Sequence, residues 1–212
     1  VELEAAAERV FGWKALREDQ LDAMEAVVSG KDVLAVMPTG SGKSAIYQVP
    51  AVLMDGATLV GSPLIALQRD QIEALGNSQA PDAVAVNSRN GNGRSWEAVR
   101  AGEAEFVFLA PEQLLKDDDL EQLSAVKLAM LVVDEAHCVS AWGHDFRPSY
   151  LRLADVVRRL GVRPVVALTA TASPVVRGDV IDYLGLRDPV VIATGFDRPN
   201  IRLEVDHHVD DR

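Results

Sequence analysis

The chain has 212 residues, of which 48% are hydrophobic and 25% are charged, and its formal net charge is −11. This length allows one buried core or at most two, and no apolar run approaches the roughly 20 residues of a membrane-spanning helix. The single cysteine, Cys138, excludes an internal disulfide, and the acidic balance argues against binding nucleic acid through the whole surface. A cytoplasmic protein is expected, since no N-terminal leader is recognisable and a single cysteine fits a reducing compartment. The 212 residues are also expected to be monomeric.

The first thirty residues predict two helices, at 2–10 and 17–29, the second from its apolar stripe. An aromatic ring, two cations and a side-chain amide surround the start of the second helix: Trp13, Lys14, Arg17 and Gln20. Such a set could recognise adenine, because the ring stacks on the base and the amide can pair with N6 and N7. The alternative is that the tryptophan belongs to the core.

Residues 37–44 read Met-Pro-Thr-Gly-Ser-Gly-Lys-Ser and follow a short apolar run, 32–36, that predicts a buried strand. The glycines let the backbone turn tightly, so that consecutive N–H groups can point at phosphates. Lys43 would add a charge for the outer phosphates, and Ser44 a hydroxyl where Mg²⁺ would bind. A helix with a kink at Pro50 is predicted for 45–54. The predicted nucleotide-binding residues of this loop are Thr39, Gly40, Ser41, Gly42, Lys43 and Ser44.

The rest of the chain alternates between predicted strands and helices. Further strands are predicted at 57–61, 83–87, 105–109, 127–133, 163–168 and 189–193. Further helices are predicted at 63–75, 95–101, from 110–114 onwards, at 150–160 and after a cap at Ser173. A Gly- and Asn-rich loop is predicted at 88–94 and a solvated acidic turn at 117–119.

This alternation predicts the fold class. Six or seven strands joined through helices by short connections indicate an α/β domain with a mostly parallel sheet and helices on both faces. The segments rich in functional residue types all follow the carboxyl ends of predicted strands. Open α/β sheets bind their ligands at that edge.

The most hydrophobic predicted strand leads into Asp134, Glu135, Ala136 and His137. Asp134 is suited to hold Mg²⁺ opposite Ser44, and Glu135 could polarise an attacking water. His137 could link this group to another loop. We therefore predict a catalytic group for phosphoryl transfer to water, a reaction that needs positioning and charge neutralisation more than covalent chemistry. Its members are Lys43, Asp134, Glu135 and His137.

The loop that follows, 138–150, mixes aromatic and cationic side chains: Trp142, His144, Phe146 and Arg147. Nucleic-acid bases stack on aromatic rings and phosphates pair with arginine, so this loop is a candidate nucleic-acid contact. A structural role is an equally open alternative for the histidine.

These residues resemble the first RecA-like lobe of RecQ-type DNA helicases of superfamily 2, over about 11–200. The similar segments are F-G-x-x-x-L-R-x-x-Q from Phe11, T-G-S-G-K-S from Thr39, S-P-L-I-A-L-Q-R-D-Q from Ser62, D-E-A-H through Tyr150, T-A-T-A from Thr169 and F-D-R-P-N from Phe196.

The resemblance implies an ATP-dependent 3′-to-5′ DNA helicase that uses ATP and Mg²⁺ and binds single-stranded or junction DNA. Residues 1–200 would form a RecA-like P-loop NTPase domain, and 201–212 would begin a linker to a second such lobe that this chain does not contain. That lobe supplies the arginine finger, so the 212 residues alone would bind nucleotide without unwinding DNA. DNA contact and coupling to hydrolysis would involve Ser62, Pro63, Trp142, His144, Phe146, Arg147, Thr169 and Thr171.

Two alternatives to this interpretation stay open. One is an RNA helicase lobe of the DEAD/DEAH type, which the W-G-H-D-F-R-P sequence at 142–148 disfavours. The other is a nucleotide-binding module that does not turn over its ligand. Within the RecQ interpretation, a location at the bacterial nucleoid is expected.

Overall fold

A computed structural model of the chain describes residues 2–63, 65–86, 93–143 and 145–195. Seven parallel strands form one sheet with the spatial order β3–β4–β2–β5–β6–β1–β7. The strands are β1 (Val33–Val36), β2 (Ala57–Gly61), β3 (Asp82–Ala85), β4 (Ala104–Leu109), β5 (Leu128–Val133), β6 (Val165–Thr169) and β7 (Val190–Ala193). The predicted parallel sheet is confirmed.

The helices are α1 (Glu2–Phe11), α2 (Glu18–Val28), α3 (Ala45–Ala51), α4 (Ile65–Gly76), α5 (Gly93–Arg100), α6 (Asp117–Ser124), α7 (Leu153–Leu160) and α8 (Pro174–Leu184). Two short 3₁₀ helices, Ala136–Val139 and Pro148–Arg152, lie between β5 and α7. None of the described helices is both long and apolar enough to cross a membrane.

Side chains of the central strands alternate between two hydrophobic layers, as the two-residue period of a strand requires. In β1, Leu34 packs in the layer with α5 to α8, whereas Ala35 packs in the layer with α2 to α4. Both layers are buried, so helices cover both faces of the sheet as predicted. Helix α1 adds a small third cluster against α2 and α3.

Some predicted elements are wrong in detail. The helix predicted from 110 is a set of turns, and α6 begins at Asp117, where a solvated turn was expected. Three aspartates in its first turn complement the positive end of the helix, and Asp119 is buried. The helix predicted at 150–160 is a 3₁₀ helix followed by α7, and α3 ends at Ala51 with Pro50 inside it.

Other predictions lie partly or wholly outside the described residues. The loop predicted at 88–94 falls there except for its last two positions, which belong to α5. His144, the F-D-R-P-N segment from Phe196 and the predicted linker 201–212 also lie outside the description.

The sheet order brings three connections to one edge. Strands β5, β6 and β1 are consecutive neighbours and parallel, so the segments that leave their carboxyl ends start side by side. These segments are 37–44, 134–137 and 169–171. Residues far apart in sequence are thereby placed around one site, at the edge where open α/β sheets bind ligands.

Candidate active site

The loop between β1 and α3 has the backbone shape that its glycines allow. Gly40 and Gly42 adopt φ of 79° and 75°, in the left-handed region where a side chain is strained. Lys43 folds back over the loop, and its Nζ donates to the carbonyl oxygens of Met37 at 2.9 Å and Pro38 at 3.2 Å. The ammonium group therefore lies above the turn that the glycines create.

Gln20 fastens helix α2 to this loop. Its Nε2 donates to the carbonyl oxygens of Ser41 at 3.2 Å and Gly42 at 3.1 Å, while its Oε1 accepts from the Arg17 backbone N–H at 2.9 Å. A Cβ on Gly42 would lie 2.6 Å from Nε2, so glycine is also required for this close approach. Adenine recognition by Gln20 stays a prediction, and it requires these bonds to be exchanged.

A cavity of about 290 Å³ opens beside the loop. Its walls are Trp13, Ala15, Leu16, Gln20, Gly42, Ser44, Ala45 and Gln48. The Trp13 ring is half-buried and stacks on Phe11, with centroids 4.6 Å apart and planes 16° apart. The predicted base-binding tryptophan and the Ser44 hydroxyl thus share one concave surface.

The two cations predicted for this pocket lie at its outside. Lys14 is exposed. Arg17 is paired with Asp19 at 2.8 Å, and its Nη1 lies 3.5 Å from the Ser41 carbonyl oxygen. Thr39 is exposed at the turn, whereas the Ser41 hydroxyl is buried with no hydrogen-bond partner among the described residues.

The carboxylates lie at the carboxyl end of β5. The Asp134 N–H donates to the Gly61 carbonyl oxygen at 2.9 Å, and Asp134 Oδ1 accepts from the Glu135 N–H at 3.0 Å. Glu135 has φ 49° and ψ 44°, a left-handed conformation that is unusual for a residue with a side chain. Backbone outliers of this kind concentrate at functional sites.

The electrostatics couple the carboxylates to the loop lysine. Burial raises the pKa of Asp134, and the neighbouring Glu135 charge raises it further, while Lys43 opposes this. Burial lowers the pKa of Lys43, against the attraction of Glu135 and Asp134. Lys43, Asp134 and Glu135 therefore lie close enough for their charges to act on one another. Perturbed and mutually coupled groups in a cleft are typical of active sites.

His137 connects this group to the loop after β6. Its Nδ1 lies 3.3 Å from Glu135 Oε2 and 2.9 Å from Thr169 Oγ1. Thr169 Oγ1 in turn donates to the Thr171 carbonyl oxygen at 3.1 Å. The predicted link between the histidine and another loop is thus present as a continuous chain of polar contacts.

The aromatic loop carries its rings at the surface. Trp142 is 81% exposed and Phe146 is 41% exposed. Arg147 pairs with Asp145 at 3.0 Å, and its Nη1 lies 3.4 Å from the carbonyl oxygen of Pro63. The arginine therefore joins this loop to the segment after β2, where Ser62 is buried.

Several residues around the site were not singled out from the sequence. Tyr150 donates its hydroxyl to the Asp134 carbonyl oxygen at 3.0 Å, and Gln48 lines the cavity beside Ser44. Helical periodicity could have found Gln48, because it lies four residues after Ser44 and shares its face. No local signal identifies Asp179, which accepts a hydrogen bond from Ser140 across the fold.

The sequence model of the DEAD/DEAH box helicase family matches residues 17–178. The chain is 41% identical over 201 residues to a probable ATP-dependent DNA helicase RecS of Bacillus subtilis, which covers 94% of the chain and 40% of that relative. It is 38% identical over 196 residues to the ATP-dependent DNA helicase RecQ of Pasteurella multocida, covering 91% of the chain and 31% of the relative.

Among solved structures, the helicase domain of Pyrococcus furiosus Hef superposes with a TM-score of 0.67 at 23% identity, over 84% of this chain and 38% of that one. This likeness shows the RecA-like helicase fold alone. The chain spans well under half the length of the curated relatives that it matches here.

Proposed function

Because the chain belongs to the DEAD/DEAH box helicase family, we propose that it is the first motor lobe of a RecQ-type, ATP-dependent 3′-to-5′ DNA helicase. The observation that carries the proposal is the meeting of Lys43, Asp134, Glu135 and His137 at one edge of the sheet. The exposed Trp142 follows on the same connection. Hydrolysis and DNA contact would then share one short segment of chain.

ATP is the proposed nucleotide, in keeping with the names of the two relatives. Lys43 would exchange its two backbone carbonyl partners for phosphate oxygens, a replacement of neutral acceptors by charged ones that strengthens each hydrogen bond. Trp13 and Gln20 would hold the base in the cavity beside Ser44. The Ser41 hydroxyl is buried and has no hydrogen-bond partner in the described part of the chain, which fits a site that is completed by a polar ligand.

The side chains at the site also fit Mg²⁺, although no group of three or more His, Cys, Asp or Glu among the described residues could hold a metal ion by itself. Magnesium is usually held by one or two carboxylates together with substrate phosphates, and here Asp134 would supply the carboxylate and Ser44 a hydroxyl beside the phosphates. When bound, the ion would neutralise charge on the phosphates during transfer.

The remaining steps fall to this chain's own side chains. Glu135 would orient the attacking water and accept its proton, and the contact of its Oε2 with His137 Nδ1 restrains the carboxylate. His137 and Thr169 would transmit a change at the carboxylates to Thr171 and the start of α8. Phosphoryl transfer needs this kind of positioning more than covalent catalysis.

DNA would bind along the surface that holds the aromatic loop. Trp142 and Phe146 offer exposed rings for base stacking, and Arg147 offers a cation beside the Pro63 segment. His144 belongs to the same proposed contact. A DNA substrate is favoured over RNA because both relatives carry the names of DNA helicases. We propose a location at the bacterial nucleoid in the cytoplasm.

The two relatives extend far beyond the region that this chain matches, so further parts of such a protein would contribute to its activity. We expect a second RecA-like lobe of the same protein to supply the cation that completes the ATP site. The 212 residues alone would then bind nucleotide as a monomer, hydrolyse little and unwind no duplex.

Substitution of Trp142 tests the DNA contact. Trp142→Ala should weaken binding of a labelled oligothymidine about tenfold in fluorescence anisotropy, since loss of one stacking ring costs about 1–3 kcal/mol. ATP affinity, measured by calorimetry, should stay unchanged. Tyr183→Ala, which removes an exposed ring from α8, is the matched control. Equal oligothymidine affinity for Trp142→Ala and the unsubstituted chain would remove the aromatic loop from the mechanism. If the unsubstituted chain bound oligouridine more tightly than oligothymidine, an RNA helicase would be favoured.

A further inference from the structure

A buried hydroxyl joins the start of the aromatic loop to helix α8. Ser140 directly follows the 3₁₀ helix Ala136–Val139 and has no exposed surface. Its Oγ donates to Asp179 Oδ2 at 2.5 Å and accepts from the backbone N–H of Trp142 at 3.1 Å. One carboxylate on α8 thus fixes a hydroxyl that holds the backbone of the exposed tryptophan.

The turn around this hydroxyl is tightly packed on the 3₁₀ helix. A Cβ on Gly143 would lie 2.5 Å from the His137 carbonyl oxygen and 3.1 Å from that of Ser140. The Gly143 N–H donates to the Ser140 carbonyl oxygen at 2.9 Å, and the Arg147 N–H to that of Cys138 at 2.9 Å. The backbone of the turn is therefore held against the segment that carries the catalytic residues, while the Trp142 ring stays outside.

Helix α8 is itself tied to the loop after β6. Ser173 caps its first turn by accepting from the Val176 N–H at 3.3 Å, and Arg177 Nε donates to the Ala172 carbonyl oxygen at 3.1 Å. Side-chain hydrogen bonds also join the segment from β6 to α8 to the region of the first 3₁₀ helix. Thr169 contacts His137 beside the carboxylates, and Asp179 accepts from Ser140 beside the aromatic loop.

We propose that Asp179 is a positioning residue that anchors the Trp142 backbone through Ser140 and so couples the DNA-contacting loop to helix α8. This role rests on the proposed function for its DNA side. A charged acceptor directs the Ser140 O–H towards α8, which leaves an oxygen lone pair for the Trp142 N–H. Without that carboxylate the buried hydroxyl loses its acceptor, and the turn must rearrange to find another.

Fluorinated tryptophan, observed by fluorine NMR, reports on the anchor directly. The chain has three tryptophans, Trp13, Trp96 and Trp142, and Trp142→Phe assigns the third resonance. In Asp179→Ala the Trp142 resonance should shift or broaden while that of Trp96, which lies in the core, stays in place. Affinity for oligothymidine should fall about two- to tenfold, as expected when one charge-assisted hydrogen bond no longer holds the binding-competent loop.

Three further variants make the test specific. Asp179→Asn keeps an oxygen that can accept from Ser140, so its Trp142 resonance should lie closer to the unsubstituted position. Ser140→Ala removes the shared hydroxyl and should reproduce the Asp179→Ala shift, which preserves the test if Asp179→Ala fails to fold. Asp182→Ala, an exposed carboxylate on the same helix, should leave the resonance and the affinity unchanged.

The two readouts separate this proposal from the proposed function. An unmoved Trp142 resonance in folded Asp179→Ala or Ser140→Ala would overturn the anchor, whatever the chain binds. A shifted resonance in a chain that binds no oligothymidine at all would support the anchor and overturn the proposed DNA contact.

Discussion

The two edges of the sheet differ in what their charged residues do. The larger cavity, about 480 Å³, lies at the amino edge, where β2, β4 and β5 begin, while the cavity beside the glycine loop holds about 290 Å³. Asp55, Arg100, Glu105 and Lys127 line the larger one. Its Asp55–Lys127 pair is largely exposed, and exposed pairs contribute little free energy.

At the carboxyl edge, by contrast, the charges are partly buried and act on one another. Lys43 and Asp134 perturb each other's pKa, and His137 contacts both Glu135 and Thr169. Glu105 at the amino edge has its pKa raised by burial alone. Convergence of coupled groups, and not the size of the cavity, therefore distinguishes the edge that holds the candidate active site.

A buried carboxylate is nevertheless present at the amino edge. Asp32, 2% exposed, accepts from the backbone N–H groups of Val165 at 2.8 Å and Arg187 at 2.7 Å, and it pairs with Arg163. These partners come from the start of β6 and the turn before β7. Asp32 therefore acts as a structural acceptor that ties three neighbouring strands together.

Removing this acceptor should give the largest change in free energy among the substitutions considered below. Asp32→Ala removes the carboxylate partner of Arg163, which keeps only the Gly185 carbonyl oxygen, and it also takes the acceptor from two backbone N–H groups. The free energy of unfolding should therefore fall by about 3–5 kcal/mol. Urea denaturation measures this. Asp55→Ala at the same edge should change it by less than about 0.5 kcal/mol. Comparable stability of Asp32→Ala and the unsubstituted chain would remove the structural role.

The next largest effect is a loss of nucleotide affinity at the carboxyl edge of the sheet. Lys43→Ala should lower ATP affinity by about 100-fold, since charge-assisted hydrogen bonds to phosphate are lost. Titration calorimetry measures the affinity, and Lys127→Ala is the control lysine at the amino edge. If the two variants bound ATP equally well, the nucleotide site would not lie at the glycine loop.

The smallest effect is a pH dependence. Burial raises the pKa of Asp134 above its ordinary value of 3.8, so the folded chain binds this proton more tightly than the unfolded chain. Ionised Asp134 therefore costs stability once the pH rises above about 3.8, and the cost is complete above the raised pKa. Asp134→Asn should accordingly be the more stable protein at pH 7 in thermal unfolding, with a difference that disappears below the ordinary value. A constant difference across this range would contradict the burial of an ionised group.

Local sequence patterns were sufficient to predict many of the strands, turns and helix caps of this protein. Buried strands such as β1 and β5 are apolar throughout because both of their faces are covered, and the glycine loop and Ser173 cap are recognisable over a few residues. The same local reasoning failed at Asp117–Ser124. Three consecutive aspartates suggested a solvated turn, whereas they form and stabilise the first turn of α6. The third of them, Asp119, is buried.

Strand burial, glycine turns and helix caps act over short distances, so the sequence was enough to predict the seven strands and the residue types at the carboxyl ends of β1, β5 and β6, although not the position of α6. Three contacts could be found only in the folded chain: Gln20 with the glycine loop, His137 with Thr169, and Ser140 with Asp179. Those contacts join residues 21 to 39 positions apart. They depend on which strands are neighbours in the sheet, and strand order is fixed by packing of the whole chain.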